Sequence, residues 1–261
     1  MDLELKNKNA LVLASSQGLG KAIAAELVRE GANVMISSRD AEKLAGVQKD
    51  LSKDAAGKVA FYAADITKHD DIERLIEKTA SEFGGIDILV NNAGGPPAGT
   101  FKDMDDEAWQ RSFELNLFSY IRAIRKSLPF LRENGGRIVN IASSSIKEPI
   151  PGLVLSNTFR TAIVGLSKTL ADELGPDHIL VNTVGPGRIS TDRIKYLDKA
   201  AADRKGISQE EIADGIIKNI PLGRYGEPDE FAKFITFLVS GANTYLTGQA
   251  YLVDGGLVKS I

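Results

Sequence analysis

The feature that most restricts the fold of this chain is a regular alternation of short apolar runs with longer amphipathic stretches. Ala10 to Ala14, Asn33 to Ser37, Val59 to Ala63, Ile86 to Val90, Arg137 to Ile141 and Ile179 to Val184 read as strands buried on both faces. Between them, Lys21 to Glu30, Ala41 to Ser52, Ile72 to Phe83, Glu107 to Arg132 and Thr158 to Glu173 carry apolar residues three and four apart, the spacing of helices with one buried face. Six such alternations predict an α/β fold, a doubly wound, mostly parallel sheet with helices on both faces. Gly84-Gly85 and Gly135-Gly136 punctuate helix-to-strand turns, and no linker or internal repeat divides the 261 residues. One domain spanning 1–261 is expected.

Composition narrows the function. Lysine and arginine total 32 against 35 acidic residues, so a net charge of -3 leaves no basic excess for nucleic-acid phosphates or anionic lipid. The absence of cysteine removes disulfides, thiolate nucleophiles and thiolate metal sites, and fits a reducing cytosol. His69 and His178 each stand alone, without clustered carboxylates, so no metal site is expected. Met1 to Asn9 alternates charges with leucines and has no signal-type apolar stretch, and no run approaches the roughly 18 apolar residues of a membrane span. The expectation is a cytoplasmic protein acting on a small-molecule substrate, with neither nucleic acid nor membrane as partner.

Where that substrate chemistry sits is suggested by the first strand-to-helix turn, Ala14-Ser15-Ser16-Gln17-Gly18-Leu19-Gly20. Small residues let backbone approach a pyrophosphate, and the helix that follows points its free N–H groups and positive end at it. Two glycines alone would equally make a tight turn. Position adds weight, because the second strand ends about twenty residues later at Ser38-Arg39, where the cofactor ribose is read. A site for NAD places an acid there, whereas arginine pairs with the 2′-phosphate of NADP. Ser38 and Arg39 therefore point to NADP(H). The charged segment 190–220, with a helix-like stretch at Gln209 to Lys218, follows the sixth strand and is placed either to act as a substrate lid or to form a solvated helical hairpin.

Taken together, ASSQGLG at Ala14 to Gly20, Asp65 after the third strand, NNAG at Asn91 to Gly94, Asn116 within LNLF, Ser143, PGRIST at Pro186 to Thr191 and TGQAYLVDGG at Thr247 to Gly256 make the chain resemble the short-chain dehydrogenase/reductases over essentially its whole length. The resemblance implies a single NAD(P)-binding Rossmann domain and a reductase of the 3-oxoacyl-carrier-protein type. It implies that Ser15, Ser16, Gln17, Gly18, Leu19 and Gly20 hold the phosphates. Asp65 and Ile66 would meet the adenine, Asn92, Ala93 and Gly94 would back the ribose, and Pro186, Gly187, Ile189 and Thr191 would line the nicotinamide. It also implies a homo-oligomer, a tetramer or dimer. Trp109 and Phe113, four apart, are expected against a partner subunit or the sheet.

The sequence departs from that family twice. Ala14 replaces the first glycine of the turn, and the catalytic tyrosine and lysine are replaced by Ser156 and Arg160 when the register is counted from Ser143. Serine is a far weaker acid than tyrosine, and arginine gives up no proton near neutral pH. The expected catalytic set is Asn116, Ser143, Ser156 and Arg160, with Arg160 also holding the ribose and stabilising an oxyanion, and Lys147 or Tyr196 as candidate proton sources. Three functions remain open: hydride transfer to a carbonyl compound, conjugate reduction of a C=C bond, and NADPH binding without turnover as a sensor or scaffold.

Overall fold

In the computed structural model, which describes residues 2–260, the apolar runs become strands of one sheet. In chain order the elements are β1 (Asn9–Val12), α1 (Gly18–Arg29), β2 (Asn33–Ser38), α2 (Ala41–Leu51), β3 (Val59–Ala63), α3 (His69–Phe83) and β4 (Ile88–Asn91). Then follow α4 (Asp106–Phe113), α5 (Ser119–Asn134), β5 (Arg137–Ile141), α6 (Val154–Leu174), β6 (Leu180–Pro186), α7 (Asp192–Lys205), α8 (Gln209–Ile217), α9 (Pro228–Leu238) and β7 (Ala250–Val253).

The sheet order is β3-β2-β1-β4-β5-β6-β7, and every pairing is parallel, so "mostly parallel" becomes wholly parallel. The order reverses between β1 and β4, and the crevice beyond their carboxyl ends is where such sheets bind ligands. Alternate residues of β1 enter opposite cores: Ala10 and Val12 join Ile23, Leu27, Phe231 and Ile235 of α1 and α9, whereas Leu11 joins Leu75, Tyr120 and Ile163 of α3, α5 and α6. No helix among the described residues is long and apolar enough to cross a membrane.

Three expectations change. The run from Glu107 to Arg132 is not one helix: a π-helical turn at Glu114–Phe118 separates α4 from α5, an insertion that apolar periodicity does not reveal. Segment 190–220 holds two helices rather than one. The first, α7, is so charged that its helical period is weak, while α8 is announced by a capping box in which Ser208 and Glu211 bond each other's backbone N–H. Within the chain, Trp109 and Phe113 pack not on the sheet but edge-on and tilted against Phe159 of α6, at ring centroids of 5.8 and 6.2 Å.

Candidate active site

A cavity of about 1380 Å³ opens at the carboxyl ends of the strands. Its first wall is the turn after β1. Ala14 has a left-handed backbone, φ 47°, the conformation that the missing glycine would adopt without strain. Gly20 has no room for a side chain, since a Cβ would lie 2.5 Å from the Ala14 carbonyl oxygen and 2.8 Å from Asn92 Nδ2. Asn92 in turn donates from Nδ2 to the carbonyls of Leu13 and Ala14 at 3.3 and 3.1 Å, fixing the turn against the end of β4.

Ser16, Gln17, Gly18 and Leu19 line the cavity, whereas Ser15 and Gly20 are not on its wall. Ser15 is fully buried; its hydroxyl donates to Val12 O at 2.8 Å and accepts from the Ser37 N–H at 2.9 Å, so it ties β1 to β2. Gly20 serves close packing.

At the end of β2, Ser38 and Arg39 line the cavity together with Lys43, a residue the sequence reading missed. Asp40 caps α2 by accepting the Lys43 N–H at 2.9 Å, and this turn brings the Lys43 side chain back to bond Gln17 Oε1. Among the described residues neither Arg39 nor Lys43 has a carboxylate partner, unlike Lys21, which lies 3.7 Å from Asp50. Asp65 and Ile66 form the next part of the wall, with Asp65 Oδ1 accepting both the backbone N–H and the hydroxyl of Thr67 at 3.0 and 2.8 Å. Asn92, Ala93, Gly94, Pro186, Gly187, Ile189 and Thr191 complete it. A glycine-tight turn at a helix N-terminus, an open groove and two unpaired cations at the end of β2 fit a dinucleotide carrying an extra phosphate.

The expected catalytic residues divide by exposure. Ser143 lines the cavity; its oxygen accepts the Ser145 N–H at 3.2 Å, leaving its own proton free to donate. Ser156, on the first turns of α6, also lines it, and its hydroxyl forms no hydrogen bond within the described residues. Asn116 is fully buried in the π-turn. Its Nδ2 donates to Gly94 O at 2.7 Å, while Oδ1 has no protein partner.

Arg160 lines the cavity but is only 5% exposed, and most of its donors are committed. Nη1 donates to Ile141 O at 2.8 Å and to the Tyr120 hydroxyl at 3.0 Å, and Nη2 donates to Ala93 O at 3.3 Å. Arg160 thus clamps the ends of β4 and β5 and leaves Nε–H and one Nη2 proton for a ligand. Tyr120, its partner, is fully buried, and burial raises its phenol above the usual range. Lys147 and Tyr196 are absent from the cavity wall, so neither stands where a proton donor is needed. No tyrosine or histidine lines it among the described residues.

Comparison with known proteins agrees with this architecture. Residues 13–258 match the family model described as enoyl-(acyl carrier protein) reductase. The chain is 32% identical to the NADPH-dependent reductase BacG of Bacillus subtilis (strain 168), over 98% of this chain and 100% of that protein. It is 34% identical to the 3-oxoacyl-[acyl-carrier-protein] reductase FabG of Chlamydia muridarum, with the same two coverages, 98% and 100%. The L-sorbose reductase of Gluconobacter frateurii, solved with NADPH and L-sorbose, superposes over 100% of both chains with a TM-score of 0.94 at 33% identity. The chain belongs to the short-chain dehydrogenase/reductase family.

Proposed function

We propose that this protein is an NADP(H)-dependent reductase that directs hydride to a carbonyl compound. The observation that carries the reading is one continuous cavity with the unpaired cations Arg39 and Lys43 at one end and the hydroxyls of Ser143 and Ser156 at the other. NADPH named with the related BacG and sorbose reductases, and the ketose named with the latter, support it.

When bound, the reduced nicotinamide supplies the hydride. The protein's part is to hold the acceptor oxygen as it gains charge. Ser143 offers an O–H not used internally, Ser156 another, and the guanidinium of Arg160 stands behind them as a fixed positive charge in a site of low dielectric. None is a strong acid, so the proton comes from water entering the cavity, relayed through a serine hydroxyl. Helices α7 and α8 contribute Ile194, Leu197 and Ile216 to the wall, which supports a lid role for 190–220.

A second reading, conjugate reduction of a C=C bond, is favoured by the lack of a tyrosine on the cavity wall and by the description of the matching family model. There hydride goes to carbon, and the enolate needs a charged clamp more than an acid. Following nicotinamide absorbance with NADPH and separate panels of ketones and enones distinguishes the readings. Ketone turnover is expected; turnover of enones alone establishes the second, and tight NADPH binding with neither leaves a cofactor-binding protein.

A further inference from the structure

Two arginines bracket the turn that follows β4. Arg160 Nη2 donates to Ala93 O at 3.3 Å, and Arg193, at the start of α7, donates from Nη2 to Pro96 O at 2.7 Å. Both line the cavity. Between them, a Cβ placed on Gly94 would meet nothing within 4 Å, so this stretch of backbone faces open space. Gly95 is different: a Cβ there would lie 2.5 Å from Cζ and Nε of Arg193. The missing side chain at Gly95 is what allows the guanidinium to lie flat against the turn.

Neither cation forms an ion pair within the described residues. Arg188 and Arg122, by contrast, are each held by a carboxylate at 2.7 Å, from Asp198 and Glu114. A buried cation without an anion is costly, and two of them on one cavity repel. Burial lowers the pKa of Arg193; Tyr196, whose ring centroid lies 5.3 Å from the guanidinium, opposes that shift, and the charge of Arg160 adds to it. Carbonyl oxygens satisfy some of their N–H groups but bring no net charge. An anion held between them would offset both costs and accept a bidentate contact. Ile150, Leu153, Ile194, Leu197 and Ile216 supply apolar wall at this end, interleaved with the polar Glu148, Asp192 and Asn219, none of which forms an ion pair with Arg160 or Arg193 within the described residues.

Building on the reductase reading, we infer that the substrate is an organic acid whose carboxylate docks between Arg160 and Arg193, beside the bond that is reduced, with an apolar body along Ile150, Leu153 and Leu197. A neutral ketone or a thioester would leave the pair unmatched.

The test is titration calorimetry on the full protein saturated with NADP⁺, using two matched pairs: 2-oxo-4-phenylbutanoate against its methyl ester, and benzoate against benzamide. The acids are expected to bind at least about tenfold more tightly than their neutral partners. Arg193→Met is expected to abolish the preference while NADP⁺ affinity stays within about threefold, and Arg193→Lys to keep part of it. Gly95→Ala, which displaces the guanidinium without removing its charge, should weaken the preference even if Arg193→Met fails to fold. Equal binding of acid and neutral partner, or no binding of either acid, overturns the inference. So does an Arg193→Met variant that loses NADP⁺ about tenfold yet keeps the acid preference, because the guanidinium then serves the cofactor phosphates. Failure of the unmodified protein to bind NADP⁺ would sink the reductase reading and this inference with it, whereas NADP⁺ binding without acid preference sinks the inference alone.

Discussion

Tyr120 on α5 and Arg160 on α6 share one acceptor: the tyrosine hydroxyl donates to Ile141 O at 3.0 Å, and Arg160 donates both to that carbonyl and to the tyrosine oxygen. The three groups form a closed triangle at the end of β5. Tyr120→Phe removes one donor and one acceptor inside a fully buried site, and is expected to lower stability by about 1–2 kcal/mol. Urea unfolding measures this. An unchanged midpoint and unchanged turnover would mean that Arg160 is held without the tyrosine.

Replacing the pair at 156 and 160 separates acid catalysis from electrostatics. Ser156→Ala is expected to cost less than about tenfold in turnover, because serine is one of several hydroxyls on the cavity and not a strong acid. Ser156→Tyr with Arg160→Lys should raise ketone reduction, since a phenol can approach the required pKa, at an expense of about 2 kcal/mol in stability as the clamp on Ile141 and Ala93 is lost. A thousandfold loss in the alanine variant would make Ser156 the proton donor after all.

Cofactor preference is expected to rest on two cations. NADPH should bind at least about tenfold more tightly than NADH, and Arg39→Ala alone should remove only part of the difference because Lys43 lines the same end of the cavity. The double variant Arg39→Ala with Lys43→Ala should show equal affinities. Fluorescence titration with both cofactors gives the answer, and a double variant that still prefers NADPH would place phosphate recognition elsewhere.

The two helices of the 190–220 segment should not move alike. Asp198 of α7 is almost fully buried and accepts from Arg188 Nη1 at 2.7 Å and from the Tyr225 hydroxyl at 3.0 Å, which anchors α7 to the loop after β6. The only buried residue of α8 is Ile212. Hydrogen exchange is expected to be faster in α8 than in α7 without ligand, and to slow in α8 when cofactor and substrate are present. Equal protection of both helices in free and ternary forms would describe a fixed hairpin.

The same anchor gives a pH dependence. Burial and the neighbouring Asp198 carboxylate push the Tyr225 phenol up to about 12, above the ordinary 10.0. A raised pKa means that the folded state keeps its proton longer, so the contribution is fully present below pH 10 and is lost as pH rises through about 12. Tyr225→Phe should lower stability by about 1 kcal/mol at pH 8 and flatten the alkaline limb between those values. Parallel stability curves for the two proteins between pH 10 and 12 would refute this.

Much of the fold was legible because a buried parallel strand must be apolar throughout, and β2 and β5 fall within a residue of their apolar runs; β3, expected to be buried on both faces, has the same bounds as its run but is a half-buried edge strand. β7, α7 and α9 were not read as elements: the first is short and half-buried and the second is dominated by charge, whereas α9 carries a start signal, Glu227 and Glu230 in a capping box around Pro228, that the sequence reading missed. At the site, turn chemistry located Ser16 to Leu19, but sequence distance hid the partners. Tyr120 lies 40 residues from Arg160, and nothing local distinguishes it from an ordinary core tyrosine. Arg193 is one more charge in a polar segment of the sequence, and its contacts with Pro96 O, 97 residues away, and with Gly95 show what it faces. Ser15 is a motif residue whose hydroxyl bonds backbone of β1 and β2, a partner set that the motif does not reveal.

The π-turn at Glu114–Phe118 acts as a one-residue spacer between two helical faces that look at different parts of the protein. Before it, Trp109 and Phe113 meet Phe159 of α6; after it, Tyr120, Ala123 and Ile124 meet the core beneath the sheet. Deleting any one residue from this stretch would rotate one face relative to the other by about 100°, a turn's share of a helix with 3.6 residues per turn. Asn116 and the aromatic cluster could then no longer both be in place. The length of this segment is thus a stricter inheritance than its composition: a lineage can exchange many of its side chains, but it cannot drop one.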